Sequence, residues 1–178
     1  MDNVKSKIQD YAKDIRVNLG NLSNTEHTPG LTQRQNDMVF LVSGYATHCT
    51  EIIENILSSG RLSQEDIHAV KAAASIMAMN TVYYRSLHLA EHEGLNQLPA
   101  KLRMTIIGNP GIEKTDFELL CLAVAAIAGC GKCLAAHIHE LEQQGVSAET
   151  MQSAIRIASV VNATQTALSI SETKVMVS

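Results

Sequence analysis

The sequence predicts a single all-α domain, because apolar residues recur every three or four positions along nearly the whole chain. Runs that alternate apolar and polar residues, the pattern of a half-buried β-strand, are absent from the sequence. Two of the apolar segments are preceded by a capping pattern, in which a Thr is followed three residues later by Gln or Glu. A chain of 178 residues has the length of about one domain and can bury a sizeable core.

The first predicted helix is amphipathic and ends in the polar stretch of residues 21–30. Its apolar stripe consists of Val4, Ile8, Tyr11, Ile15 and Leu19. A second helix is predicted to begin at Thr32, which forms a capping box with Gln35. Its apolar face continues without interruption to Ile56, and the Ser-Ser-Gly sequence at residues 58–60 ends it.

A third helix is predicted to begin at Ser63, which is followed by acidic residues in the first turn. Its inner face consists of Ile67, Val70, Ala74, Met77 and Tyr84. Gly94, Pro99 and the Asn-Pro-Gly sequence at residues 109–111 break the helical pattern that precedes them. We expect a linker in this part of the chain, with one short apolar turn.

The apolar run at residues 119–128 predicts a buried helix, in front of which Thr115 and Glu118 form a second capping box. Gly129 interrupts the apolar pattern, and the sequence CGKC follows it directly. A new helical pattern then continues until Gly145. The CGKC sequence is therefore expected at or near the start of a helix.

A final helix is predicted from a cap at Ser147 to about Ser169, and its sequence is similar to that of the third helix. When residues 62–84 are aligned with residues 146–168, four positions are identical in the two segments, namely Ser63, Glu65, Ala74 and Ser75. Upstream, at a different offset, Asp116, Leu120 and Ala125 are matched by Asp37, Leu41 and Ala46. We predict an internal repeat of a helical unit, although two amphipathic stretches can also align by chance. The predicted organisation is one domain, 1–178, divided into an N-terminal helix and loop (1–30), a first repeat (31–93), a linker (94–114) and a second repeat with the CGKC sequence (115–172).

The composition excludes several classes of partner. With 14 basic and 18 acidic side chains the net charge is −4, so we expect neither nucleic acid nor a membrane surface as a partner. Aromatic residues make up only 3% of the chain, which disfavours a base-stacking platform. The apolar run at 119–128 is too short to span a bilayer, and the first sixteen residues lack the apolar core of a signal peptide. We therefore expect a cytoplasmic protein, in which four cysteines indicate reactive or metal-binding thiols.

Cys130 and Cys133 carry the strongest chemical signal. At a helix N-terminus, free backbone N–H groups and the helix dipole stabilise a thiolate. His137 is four residues beyond Cys133, so the three side chains project from one helix face. Two thiols at this separation can close a small disulfide ring, and the imidazole can take or return a proton. The arrangement suits thiol–disulfide exchange or peroxide reduction.

Glu118 can join this group only if the chain reverses direction near Gly129. On one straight helix Glu118 would lie about 18 Å from Cys130. If the two helices instead pack antiparallel, Glu118 comes level with His137 and can orient the imidazole. The alternative role for Glu118 is the second half of the Thr115 capping box, and the two roles are compatible.

Zinc is the main alternative to redox chemistry. Cys130, Cys133, His137 and His139 supply four donors, but His139 faces another side of the helix and no second CxxC follows. The two other cysteines, Cys49 and Cys121, fall in apolar patterns and are interpreted as core residues. Surface or core positions are expected for the four histidines His48, His68, His88 and His92.

Glu118, CGKC and His137, within FELLCLAVAAIAGCGKCLAAHIHELEQQGVS, resemble the E…CxxCxxxH signature of the AhpD alkyl hydroperoxidases. These proteins belong to the carboxymuconolactone decarboxylase-like superfamily. The resemblance covers nearly the whole chain, since YAKDIRVNL, AAASIMAMNTVYYRSLHL and LRMTIIGNPGIEKTDFEL are also similar to that family. One departure is Lys132, which stands where some relatives have His.

The resemblance implies an all-helical homotrimer that has an internal repeat and reduces hydroperoxides without a bound cofactor. A dihydrolipoamide-type dithiol on a lipoylated acyltransferase would supply electrons, and a peroxiredoxin, the alkyl hydroperoxide reductase C protein, would be the partner. It further implies that Cys133 attacks and becomes a sulfenic acid, and that Cys130 resolves it to a Cys130–Cys133 disulfide and relays its proton. Glu118 and His137 would complete the proton relay.

Two alternatives to the peroxidase remain after the resemblance, besides the zinc site. The chain could be a dithiol electron carrier that reduces a peroxiredoxin and has little peroxidase activity of its own. It could also be a non-redox relative with the same helical fold, although such a relative has no need of the CGKC thiols.

Overall fold

The structure, a computed structural model, describes residues 1–172, and within this range it contains α-helices and short 3-10 turns but no strand. The predicted all-α fold class is confirmed. The helices are α1 (Asp2–Lys7), α2 (Lys13–Leu22), α3 (Gln33–Thr47), α4 (Thr50–Ser58), α5 (Gln64–Ala90), α6 (Glu93–Asn96), α7 (Thr105–Gly108), α8 (Lys114–Ala128), α9 (Gly131–Gln143) and α10 (Ala148–Glu172). None of them is both long enough and apolar enough to cross a membrane.

Helix α8 lies at the centre of the molecule. Every residue from 116 to 125 is buried, and α3, α5, α9 and α10 pack around it. A helix that is apolar on nearly all sides must be enclosed by others, which explains this central position. Its C-terminal end meets the start of α9, where the CGKC sequence is located.

The prediction of one N-terminal helix is wrong, because α1 and α2 are separate helices. Ile8 has an extended backbone and ends α1, and a 3-10 turn at Asp10–Ala12 precedes α2. Arg16 stabilises this break by donating hydrogen bonds to the Ile8 carbonyl (2.9 Å) and to the Asp10 carboxylate (3.0 Å). Tyr11, expected on the apolar stripe, is instead 56% exposed.

The second predicted helix is also divided, into α3 and α4. His48 ends α3 with a left-handed backbone (φ 58°), and Cys49 is the first cap of α4. The Cys49 N–H donates to the Gly44 carbonyl (2.9 Å), which satisfies the end of α3. Because α4 folds back onto α3, Ile52 and Ile56 still bury their side chains in the core.

The predicted helix starts at Thr32, Ser63 and Ser147 are confirmed. Thr32 and Gln35 form a complete capping box on α3, and Ser63 forms one with Asp66 on α5. The Ser147 hydroxyl accepts a backbone N–H from the first turn of α10 (3.2 Å). Between α5 and α8, the expected apolar turn is α7, while α6 is a second short helix that the sequence pattern did not predict.

Arg34 ties the starts of three helices together. From the first turn of α3 its guanidinium pairs with Asp66 at the start of α5 and with Asp116 at the start of α8. Gln35 also donates to Asp116 (2.7 Å). Both carboxylates are buried, so they require these partners, and the cluster fixes the helices that surround the site.

The internal repeat stays a prediction, and so does the division of the chain that rests on it. The structure adds one parallel between the two halves. Helices α3 and α8 each contain 15 residues, each ends at a left-handed residue, and each is followed by a cysteine that caps the next helix. The residues in question are His48 and Cys49 in the first half, and Gly129 and Cys130 in the second.

Candidate active site

The chain reverses direction at Gly129, which is the condition under which Glu118 can join the site. Gly129 has φ of +63°, a left-handed conformation that glycine adopts without steric strain. The Cys130 N–H donates to the Ala125 carbonyl (3.1 Å), which closes the end of α8. Helix α9 then runs back along α8 from Gly131.

Cys130 and Cys133 are joined in a disulfide at the N-terminus of α9. Their Cα atoms are 5.2 Å apart, within the usual range for such bridges. Cys130 is the N-cap residue, and its Sγ accepts the Cys133 N–H (3.3 Å). A thiolate at this position is stabilised by the free N–H groups of the helix start.

Glu118 and His137 meet across the antiparallel pair α8 and α9. The distance from His137 Nδ1 to Glu118 Oε2 is 2.6 Å, and since a carboxylate can only accept, Nδ1 donates its proton. Glu118 is 2% exposed and His137 is 12% exposed. The predicted pairing of these side chains is confirmed, and it leaves the second imidazole nitrogen, Nε2, available for proton transfer.

The predicted capping box of Thr115 and Glu118 is wrong. Glu113 caps α8 without a side-chain hydrogen bond, so Thr115 lies inside the helix rather than before it. Its hydroxyl donates to Gln144 Oε1 (2.6 Å), and the Glu118 carboxylate binds His137. Helix α9 and the residue that caps its C-terminus therefore supply the partners that a local capping box would otherwise have provided.

A cavity of about 240 Å³ opens beside the disulfide. Cys133 and His137 line one side, and Cys130 is not among the lining residues. The remaining walls are formed by α5, the region of α7 and other residues of α9, namely Met77, Asn80, Tyr84, Met104, Ile107, Lys132 and Ala136. The cavity is thus mostly apolar, with a sulfur and an imidazole at one side, the arrangement typical of a small-molecule site.

Lys132 brings positive charge to this cavity. Its Nζ lies 5.6 Å from the centre of the Tyr84 ring, a cation–π contact. The Tyr84 hydroxyl in turn donates to Met104 Sδ (3.8 Å). Lys132 is therefore held beside Cys133 on the rim of the cavity.

Cys49 and Cys121 are buried free thiols, as predicted for core residues. Burial raises the pKa of both, and the nearby charge of Glu118 raises that of Cys121 further. These thiols stay protonated near neutral pH. The four histidines that were predicted at surface or core positions are all exposed: His48, His68, His88 and His92.

The donors of the zinc alternative do not form a metal cluster. Among residues 1–172, no group of three or more His, Cys, Asp or Glu side chains is placed to hold an ion. Cys130 and Cys133 are engaged with each other in the disulfide, and His139 is exposed on α9.

Sequence reasoning missed the contribution of α5 to the site. Asn80 and Tyr84 line the cavity, and Arg85 donates to the Ala128 carbonyl (2.8 Å) at the turn before the disulfide. The one feature of the sequence that could have indicated this role of α5 is a polar residue, Asn80, within the apolar pattern around Met77.

The chain is similar in sequence to known proteins. Residues 93–172 match the model of the carboxymuconolactone decarboxylase family. The chain is 48% identical to a protein of Hyphomonas neptunium named alkyl hydroperoxide reductase AhpD, over 92% of this chain and 90% of that one. The chain belongs to the AhpD family.

Other AhpD-family relatives are matched over similar lengths. The relative from Brucella canis is 43% identical over 98% of this chain and 99% of its own. The relative from Coxiella burnetii is 46% identical over 89% of this chain and 90% of its own. Both are named alkyl hydroperoxide reductase AhpD, so the similarity extends over whole AhpD chains.

Proposed function

We propose that this AhpD-family chain reduces organic hydroperoxides to alcohols with the Cys130–Cys133 dithiol. The observation that carries the proposal is the position of Cys133, which lies at a helix N-terminus and lines an apolar cavity together with His137. The names of the relatives support the same activity.

Cys133 is the attacking thiol in this proposal. Cys133 is 5% exposed and lines the cavity, whereas Cys130 is completely buried and does not line it. His137 lies one helical turn beyond Cys133 on the same face of α9, and it lines the same cavity. A substrate in the cavity therefore meets Cys133 first.

The reaction proceeds in two balanced steps. The Cys133 thiolate attacks the terminal oxygen of the hydroperoxide, the O–O bond breaks, and the inner oxygen takes a proton and leaves as alcohol. Cys133 is then a sulfenic acid. Cys130 attacks the Cys133 sulfur and donates its proton, so the disulfide forms and water leaves. Two thiols are oxidised, and one hydroperoxide is reduced to alcohol and water.

Glu118 and His137 form the proton relay. With Nδ1–H bound to the Glu118 carboxylate, the imidazole presents Nε2 as an acceptor for the thiol proton. The same nitrogen returns that proton to the departing alkoxide. Glu118 holds the ring in this tautomer and stabilises the imidazolium that forms in between.

The disulfide must be reduced again before the next turnover. We propose a dihydrolipoamide-type dithiol, carried by a lipoylated acyltransferase, as the reductant, and a peroxiredoxin as a second electron acceptor. Thiol exchange needs no bound cofactor. A disulfide that opens in each cycle also fits a cytoplasmic enzyme, because that compartment keeps thiols reduced.

The homotrimer belongs to the same proposal. On α5, Val82 and Leu89 are seven residues apart on one face, and both are largely exposed. An apolar helix face of this kind fits a subunit interface. Light scattering on the purified protein measures the number of subunits directly.

The test is hydroperoxide consumption by the purified protein with dihydrolipoamide, in wild type, C133S and C130S, with C49S as the matched control. We expect turnover in wild type and C49S, and none in C133S or C130S. Turnover that survives in C133S would refute the proposal. If turnover requires added peroxiredoxin, the chain is the dithiol electron carrier and not itself the peroxidase.

A further inference from the structure

Asn80 is a polar residue in the otherwise apolar wall that α5 presents to the cavity. The residue is 5% exposed, and it lines the cavity together with Cys133 and His137. No protein group in residues 1–172 makes a hydrogen bond to its buried Oδ1. The amide therefore lies in the wall of the cavity that Cys133 also lines, with hydrogen-bonding capacity left unused.

A buried amide oxygen without a partner destabilises a fold, so its presence calls for an explanation. On the same helix face, Met77 and Tyr84 also line the cavity. A leucine, which has nearly the shape of asparagine, would complete this wall at no such cost. An unsatisfied polar group at a cavity is instead typical of a site that binds a polar ligand.

We infer that the Asn80 amide hydrogen-bonds the peroxide group of the substrate and holds its terminal oxygen toward Cys133. This inference rests on the proposed function. The peroxide O–H can both donate and accept, and an amide offers both an acceptor and a donor, so either orientation of the amide makes the contact. The alkyl part of the substrate then lies against Met104 and Ile107.

Asn80 takes no proton and no electron in the step. The sulfur–oxygen bond forms as the O–O bond breaks, the electron pair goes to the inner oxygen, and His137 supplies the proton. A fixed amide beside the oxygens stabilises the charge that develops there, and its effect is greatest in the transition state. Asn80 thus contacts the substrate alongside Cys133 and His137, which line the same cavity.

The experiment compares N80L with wild type in two reactions of the same thiol. The first is reduction of cumene hydroperoxide with dihydrolipoamide, for which kcat/KM is expected to fall by about tenfold or more. The second is alkylation of reduced Cys133 by iodoacetamide, which has no peroxide group and is expected to change by less than about twofold. T81V is the matched control, since Thr81 is buried on the same helix but does not line the cavity.

Thermal unfolding of N80L separates substrate binding from a structural role. Removal of an unpartnered amide is expected to leave the melting temperature unchanged or to raise it. A lower melting temperature, or an equal loss in both reactions, would show that Asn80 supports the fold and would overturn the inference. If N80L does not fold, N80A provides the same three measurements.

The activity of wild type distinguishes failure of the inference about Asn80 from failure of the proposed function. If wild type reduces cumene hydroperoxide and N80L does so equally well, the inference about Asn80 is wrong and the proposed function stands. If wild type itself does not reduce the peroxide, the proposed function fails and the inference falls with it.

Discussion

Glu118 Oε2 and His137 Nδ1 are 2.6 Å apart, although 19 positions in the sequence separate the two residues. The pair bridges α8 and α9 on either side of the Gly129 turn, and the turn brings it beside the disulfide. The carboxylate is buried and has the imidazole as its hydrogen-bond partner. In the proposed reaction, this arrangement would orient His137 for proton transfer before any substrate binds.

The variant E118Q tests the contribution of this carboxylate. An amide of the same shape retains a hydrogen bond but loses the charge that stabilises an imidazolium, so kcat/KM for a hydroperoxide is expected to fall by about 10- to 100-fold. Steady-state kinetics with dihydrolipoamide measures the change. E140Q is the control, because Glu140 is a partly exposed residue of α9 whose ion pair is with Lys114. Equal activity of E118Q and wild type would exclude the relay.

The variant K132M tests the charge between the cysteines. A positive charge beside Cys133 favours its thiolate, so its removal is expected to move the pH midpoint of Cys133 alkylation upward, by less than about one pH unit for an exposed lysine. Iodoacetamide labelling between pH 5 and 9 measures the midpoint. K132R retains the charge and should behave as wild type. A midpoint that does not move in K132M would show that Lys132 does not tune the thiol.

The buried thiols Cys49 and Cys121 should resist labelling in the folded protein. Burial raises the pKa of both, so at pH 8 they are protonated as well as inaccessible. After mild reduction, iodoacetamide is expected to label Cys133, which lines the cavity, and all four cysteines are expected to react once the protein is unfolded. Peptide mass spectrometry identifies the labelled positions. Rapid native labelling of Cys121 would contradict the burial described here.

The variant R34M tests the cluster at the helix starts. Burial alone would raise the pKa of Asp66, but hydrogen bonds from Arg34 and Ser63 outweigh burial and lower the pKa below its ordinary value of 3.8. Removal of Arg34 is expected to lower the free energy of unfolding by about 3 kcal/mol at pH 7. This value lies toward the low end for a broken buried pair, because the arginine is partly exposed.

The difference in the free energy of unfolding between R34M and wild type should become smaller at acidic pH. Stability from a depressed carboxyl pKa is fully present above 3.8 and is lost as the pH falls through the lower folded value. Urea unfolding at pH 7 and pH 3 measures both differences. The control is K114M, which breaks a surface pair and should change the free energy of unfolding far less than R34M does. A difference that is the same at both pH values would show that Asp66 is not the titrating group.

The sequence predicts the structure correctly where interactions between residues close together in the chain determine it. The helix starts at Thr32 and Ser63 follow from side chains that bond the backbone three residues away. The pairing of Glu118 with His137 also followed from local features, because Gly129 marks the reversal and the two residues lie at similar distances from it.

The failures occur where tertiary contacts override local patterns. The break at His48 has no glycine or proline to announce it, and packing of α4 onto α3 imposes it. Thr115 fits a capping pattern, but Gln144, at the C-terminal end of α9, provides a different partner. Asn80 was missed because spacing along the chain does not show that α5 forms a wall of the cavity.

The most direct test of the central claim is a single turnover of reduced C130S with one equivalent of hydroperoxide, in the presence of dimedone. The attacking thiol then has no resolving partner, and its sulfenic acid is trapped and located by mass spectrometry. We predict a dimedone adduct on Cys133 in C130S and none on Cys130 in C133S. An adduct on Cys130 in C133S, with none on Cys133 in C130S, would contradict the assignment of the attacking thiol.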